Sequence, residues 1–239
     1  MARWVYAVLD AGAAVSALGA ARYFDLAWLK RPGAAALAVM SVFVPFVAWD
    51  VLVTAAGHWS FSGDYTFGAK LAGLPLEELM FFVAIPLVAL SVWELCAKTG
   101  GSLRLLPASG HRFDRPRPAW YAATAGVCVS LTWAASWPGR GYSLLAGLAA
   151  TAVWVGWLIW GTQAHLRRWL YFWTAMFGIF FLANSVLTGL PVVLYNPAEF
   201  SGWRVGTIPL EDWFYNFALV TGTVLAYEGW ARRYRSKAA

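Results

Sequence analysis

The stretch Gly73-Leu74-Pro75-Leu76-Glu77-Glu78 returns, 134 residues further on, as Thr207-Ile208-Pro209-Leu210-Glu211-Asp212. Without a gap, the same offset pairs Asp50 with Asn184, Thr54 with Thr188, Phe61 with Tyr195, Gly68 with Gly202 and Glu94 with Glu228. So many polar matches in so apolar a chain mark a duplication. Each copy has the same layout: an apolar segment, a semi-polar loop (57–73 and 191–208), then a Pro-Leu step and an acidic pair that open a second apolar segment.

The chain has 239 residues, 60% of them hydrophobic and 13% charged, a balance too apolar for an ordinary soluble domain. A bilayer core takes about 20 apolar residues per helix. Spans are expected near 4–22, 34–56, 74–97, 119–137, 142–163, 168–190 and 209–231. The first resembles a signal peptide, but Asp10 in its middle and the number of later spans argue for a retained helix. Spans one to three then match spans five to seven, with the fourth as connector. A single connector restores the chain direction, so the halves run parallel about an axis along the membrane normal. The fold class is all-α: a polytopic membrane helical bundle of about seven transmembrane helices, with two parallel three-helix repeats and a connecting helix. The expected division is 1–97 for the first repeat, 98–141 for a cytoplasmic linker and connecting helix, and 142–239 for the second repeat.

Basic residues concentrate in alternate loops: Arg22, Lys30 and Arg31; Lys98, Arg104, Arg112, Arg115 and Arg117; Arg167 and Arg168; and Arg232, Arg233, Arg235 and Lys237, whereas the opposite loops carry few, namely Lys70, Arg140 and Arg204. The positive-inside rule places the basic loops on the cytoplasmic side, with the N-terminus outside and the C-terminus cytoplasmic in a cell membrane. Membrane topology thus accounts for the net charge of +6, and no basic patch points to nucleic acid.

Several chemistries find no support. Cys96 and Cys128 have no metal or redox spacing and read as small buried hydrophobes. His58, His111 and His165 stand apart, so no metal is implied. There is no G-x-G-x-x-G, no P-loop and no Asp-rich diphosphate motif, hence no nucleotide cofactor. All four lysines lie outside the spans, which excludes a retinal Schiff base in the seventh. The 16 Trp suit interfacial belts, with a surplus for an internal cavity.

The acidic pairs carry the functional reading. Acids after a proline suit a helix N-terminus, so a capping role is the plain alternative for Glu77, Glu78, Glu211 and Asp212. That both halves keep two adjacent acids at one step weakens it. Adjacent helical residues point about 100° apart, so each pair can offer one carboxyl inward and one toward the loop. Acids at membrane depth are functional candidates, and an apolar pocket lets a carboxylic acid keep its proton for donation. Asp50 and its counterpart Asn184 are candidates for the same site. Glu94 with Lys98, and Glu228 with Arg232, have the spacing of i,i+4 ion pairs. Asp10 has no evident partner.

The tandem P-L-E-E…F-F and P-L-E-D…Y-N segments, each after an aromatic and glycine-bearing loop, resemble the small integral-membrane lycopene cyclases of bacteria, archaea and fungi. Those occur as two short subunits or one fused chain, and this chain resembles the fused form over essentially its whole length. The resemblance implies a cofactor-independent, redox-neutral cyclase in carotenoid biosynthesis, converting linear end groups of lycopene to β rings by acid–base carbocation chemistry. It implies Glu77, Glu78, Glu211 and Asp212 as acid and base. It also implies Asp50, Asn184, Phe81, Phe82, Trp213, Phe214 and Tyr215 as residues that bind substrate. The partners implied are lycopene and the lipid bilayer, with oligomeric state left open. The alternatives are an ε- or γ-ring cyclase, a cyclase of elongated carotenoids, a non-catalytic carotenoid-binding protein and a proton-coupled transporter.

Overall fold

The structure, a computed structural model, describes residues 2–99, 117–160 and 166–238. Its helices are α1 (Val5–Tyr23), the single turn α2 (Ala27–Lys30), α3 (Pro32–Ala55), α4 (Leu76–Thr99), α5 (Arg117–Ser136), α6 (Gly141–Trp160), α7 (Leu166–Gly189) and α8 (Leu210–Ala238). The all-α bundle is as expected, and each long helix overlaps an expected span, with α8 running to Ala238, beyond the expected end at 231. The linker residues Arg104, Arg112 and Arg115 lie outside the described residues.

Among the described residues, five helices are long and apolar enough to cross a membrane: α1, α3, α4, α6 and α7. The other two expected spans, α5 and α8, fall short of that measure. For α8 the reason is its place in the bundle. It packs against α3, α4 and α6, and its middle (Ala218, Leu219, Val220, Thr221, Val224) is buried. A helix enclosed by other helices presents little surface to lipid and can carry Glu211, Asp212, Asn216 and two threonines.

The loops expected at 57–73 and 191–208 contain short strands. β1 (Trp59–Phe61) pairs antiparallel with β4 (Val193–Tyr195), in the register Trp59 with Tyr195, Ser60 with Leu194 and Phe61 with Val193. Ser60 and Leu194 are 134 positions apart, so the ladder is centred on two equivalent residues. A pseudo-two-fold axis passes between them. Each half also forms a tight hairpin, β2 (Lys70–Leu71) with β3 (Leu74–Pro75), and β5 (Arg204–Val205) with β6 (Ile208–Pro209). The turn residues Ala72 and Gly73 have φ of 51° and 89°, as a type I′ hairpin requires. These hairpins place the acidic pairs at the starts of α4 and α8, on the side of the bundle where the two halves pair.

Packing follows the same axis. α1 lies along α4 as α6 lies along α8, whereas α3 packs on α8 and α7 on α4, so each half lends its middle helix to the other. At the far end of α4 and α8 two equivalent hydrogen bonds cross the axis. The indole of Trp93 donates to Glu228 at 2.8 Å, and the phenol of Tyr227 donates to Glu94 at 2.7 Å.

These bonds replace the i,i+4 ion pairs expected there. The Glu94 carboxyl also accepts the backbone N–H groups of Ala27 (2.5 Å) and Trp28 (3.2 Å), and so caps α2. Lys98 donates instead to the carbonyls of Phe24 and Asp25. Arg232 binds the backbone carbonyl of Glu228, while Arg168 lies over the Trp93 ring, 3.8 Å from the Glu228 carboxyl. Spacing alone misplaced these carboxyls because buried donors on neighbouring helices outcompete a solvated lysine one turn away. A further expectation fails at Cys128, which is exposed on α5; Cys96 is half-buried in the core.

Candidate active site

The hairpins deliver two adjacent carboxyls to each helix start, and the helix turn sends them different ways. In the first half Glu77 turns back toward its loop and accepts the backbone N–H of Phe67 at 2.6 Å. In the second, Glu211 accepts the N–H of Ser201 at 2.7 Å and the hydroxyl of Ser143 at 2.5 Å. Phe67 and Ser201 are equivalent positions, so this loop anchor is duplicated. Both anchors are fully buried, and each keeps one oxygen without a hydrogen-bond partner among the described residues.

Glu78 and Asp212 point the other way, into a cavity of about 90 Å³ between the halves. Each accepts a phenol from the first helix of its own half. Tyr6 donates to Glu78 at 2.6 Å, and Tyr142 donates to Asp212 at 2.5 Å. Each also meets the residue expected from the repeat. Asp50 stands against Glu78, and the Asn184 amide donates to Asp212 at 2.8 Å.

The surroundings of the two inward acids differ. Asp212 gathers three donors, because Tyr195 adds a bond of 2.6 Å to those of Tyr142 and Asn184. Burial and the adjacent Asp212 carboxyl push the Tyr195 phenol well above its usual range, so it stays a donor. On the Glu78 side, Asp50 accepts the Trp59 indole at 2.8 Å and the Thr54 hydroxyl at 3.1 Å, both on one oxygen. Its other oxygen is buried and, among the described residues, has no donor besides the neighbouring Glu78 carboxyl. Asp10, expected to lack a partner, is buried one turn beyond Tyr6, within electrostatic reach of Glu77 and Glu78.

Apart from Asn216 on α8, whose buried amide nitrogen has no hydrogen-bond partner among the described residues, the rest of the cavity wall is apolar or aromatic. α4 contributes Phe81 and Ile85; α7 contributes Met176, Ile179, Phe180, Ala183 and Leu187; Trp59, Phe61 and Tyr215 add ring faces. Such a site offers two carboxyls, phenol donors and a largely aromatic wall. It can bind an apolar group and move a proton on or off it.

Of the residues expected at the site, the cavity is lined by Glu78, Asp212, Asn184, Phe81 and Tyr215. Asp50 lies behind Glu78, while Glu77 and Glu211 hold the loops. Phe82 is buried with Val42 and Phe46 in the core. Trp213 packs among Phe177, Phe180 and Phe181, and Phe214 against Trp133, so these three rings face away from the cavity. Helix periodicity accounts for their placement: side chains next to an inward residue point about 100° away from it. The phenols of Tyr6, Tyr142 and Tyr195 were not anticipated. Tyr195 carried a signal as the repeat partner of Phe61, whereas Tyr6 and Tyr142 lie outside the gapless repeat.

A search of the curated proteins and a search of the solved structures each return no match. The family model described as Lycopene cyclase matches residues 3–96 and 141–230. The two matched blocks are the two repeats, and the unmatched stretch between them contains the connecting helix. Most of the chain is covered, and it belongs to the lycopene cyclase family.

Proposed function

We propose that the protein is a carotenoid cyclase that closes the linear end groups of lycopene into β rings without a cofactor, with Glu78 and Asp212 as its proton donor and acceptor. The observation that carries this reading is the placement of two buried, phenol-bonded carboxyls at equivalent positions of a duplicated family fold, on one aromatic cavity. Protonation of a terminal double bond gives a tertiary cation, which an internal double bond attacks to form a six-membered ring. Loss of a ring proton then leaves the new double bond. The sum is an isomerisation, so an acid and a base suffice. The ring faces of Trp59, Phe61, Phe81, Phe180 and Tyr215 stabilise the cation and keep water from it.

The cavity suits one end group rather than a whole carotenoid, so the rest of the polyene extends toward lipid. The distribution of basic loops supports an orientation with the N-terminus and the acidic pairs toward the outer side of the membrane and the C-terminus in the cytoplasm. On this reading residues 1–97 and 142–239 are the two halves of one site, joined by 98–141.

Expression in a lycopene-accumulating host, followed by chromatography of the pigments, tests the proposal. Monocyclic or bicyclic β-ring products are expected. Unchanged lycopene beside abundant, membrane-inserted protein overturns it, and rings with another double-bond position overturn the β assignment.

A further inference from the structure

The two halves repeat their backbone but not their acids. Around Glu78 the first half buries three further carboxyls: Asp50 against it, Asp10 on α1 and Glu77 beside it. Among the described residues, the carboxyl beside Asp212 in the second half is Glu211, which is turned to its loop by Ser143 and Ser201. Where the first half has Asp50, the second has Asn184, a donor in place of an acceptor. Asp212 therefore sits among three donors, and Glu78 has one donor and a facing carboxyl.

Resting on the cyclase reading, we infer that the halves divide the reaction, with the Glu78 carboxyl as the acid that starts ring closure, Asp50 as its positioning residue and Asp212 as the base that ends it. Two carboxyls in contact are both satisfied when one proton lies between them, because carboxylates only accept. The orphaned oxygen of Asp50 calls for that proton. A carboxylate met by three donors is held ready to accept a proton from carbon, and its donors need no rearrangement as the ring cation approaches.

The step balances. A proton leaves the Glu78 carboxyl for the less substituted carbon of the terminal double bond, and the alkene π pair forms the new C–H bond, leaving the tertiary cation. The π pair of an internal double bond forms the ring C–C bond. The Asp212 carboxylate then removes a ring proton, whose bonding pair becomes the ring double bond. Each turnover carries one proton from Glu78 to Asp212, and exchange with water restores both groups.

The test is the isotope content of substrate and product after reaction of lycopene with the full-length protein in deuterated water. Wild-type protein must cyclise lycopene; if it does not, the cyclase reading itself fails. Given activity, Glu78→Gln should give neither rings nor deuterium in recovered lycopene. Asp212→Asn should still protonate: normal product falls at least about tenfold, while recovered lycopene gains deuterium or the ring double bond moves. Asp50→Asn, which copies Asn184, should slow deuterium entry by about tenfold or more with the ratio of ring isomers unchanged. All three variants are compared at equal amounts of folded, monodisperse protein, and one that does not fold is replaced by Glu78→Met, Asp212→Leu or Asp50→Leu, which also lack the carboxyl and are read for the same signatures. The inference is overturned if Glu78→Gln still exchanges deuterium, if folded Asp212→Asn is as silent as Glu78→Gln, or if Asp50→Asn behaves as wild type.

Discussion

Tyr195 donates its phenol to Asp212 at 2.6 Å from a strand that is paired, residue for residue, with the other half of the molecule. Its ladder partner is Trp59, whose indole donates to Asp50 at 2.8 Å. One pair of facing residues thus supplies a donor to each side of the site, and the register of a three-residue ladder aligns both. Replacing Tyr195 by Phe removes the donor while keeping the ring. A hydrogen bond to a charged group contributes about 1.5–3 kcal/mol, so turnover is expected to fall about 10- to 100-fold. Initial rates of pigment conversion, normalised to folded protein, check this.

Glu77 and Glu211 should report on folding rather than chemistry. Each holds a backbone N–H ten residues upstream, and Gln can still accept that bond. Glu77→Gln is expected to keep most of its activity. Glu77→Ala leaves the Phe67 N–H buried without a partner and costs about 1–3 kcal/mol of stability. Thermal unfolding in detergent distinguishes the two.

Filling the cavity should abolish turnover without disturbing the bundle. Ala183 lines it from α7, and a Trp there occupies space that an end group needs. Ala183→Trp is expected to lose at least about 90% of wild-type activity, an effect of about 1.4 kcal/mol or more on the barrier. Tyr6→Phe is the control that keeps the volume, and its loss should be smaller. Substrate titration against rate measures both.

At the opposite end, Glu94→Ala deprives α2 of its cap and Tyr227 of its acceptor. Because this cluster is remote from the cavity, the expected result is a loss of about 1–3 kcal/mol in stability with rate per folded molecule unchanged. Unfolding and pigment assays on the same preparation read the two effects separately.

Gly126 on α5 tests the connecting helix. A Cβ there would lie 2.2 Å from the Trp154 ring, so Gly126→Ala must displace that ring or shift α5 against α6. Overpacking of this kind costs about 1–3 kcal/mol. A lower unfolding temperature, restored by pairing the change with Trp154→Phe, is the expected measurement.

The sequence by itself determined the helices, the duplication and the identity of the acidic pairs. Apolar length sets a span, and a gapless offset of 134 residues survives in the linear order whatever the fold. It also implied that each pair would split, one carboxyl inward and one to the loop, since that follows from helix geometry alone. Which carboxyl faces which way was decided by tertiary structure. The amides of Phe67 and Ser201 claim Glu77 and Glu211, leaving Glu78 and Asp212 for the cavity. The phenols that meet them come from α1 and α6, 72 and 70 positions away in sequence. No local pattern connects such residues; they meet because two long helices pack side by side. The same reason removed the ion pairs read at Glu94 and Glu228. A buried carboxyl takes the donors its packed neighbours present, and those neighbours are set by the bundle.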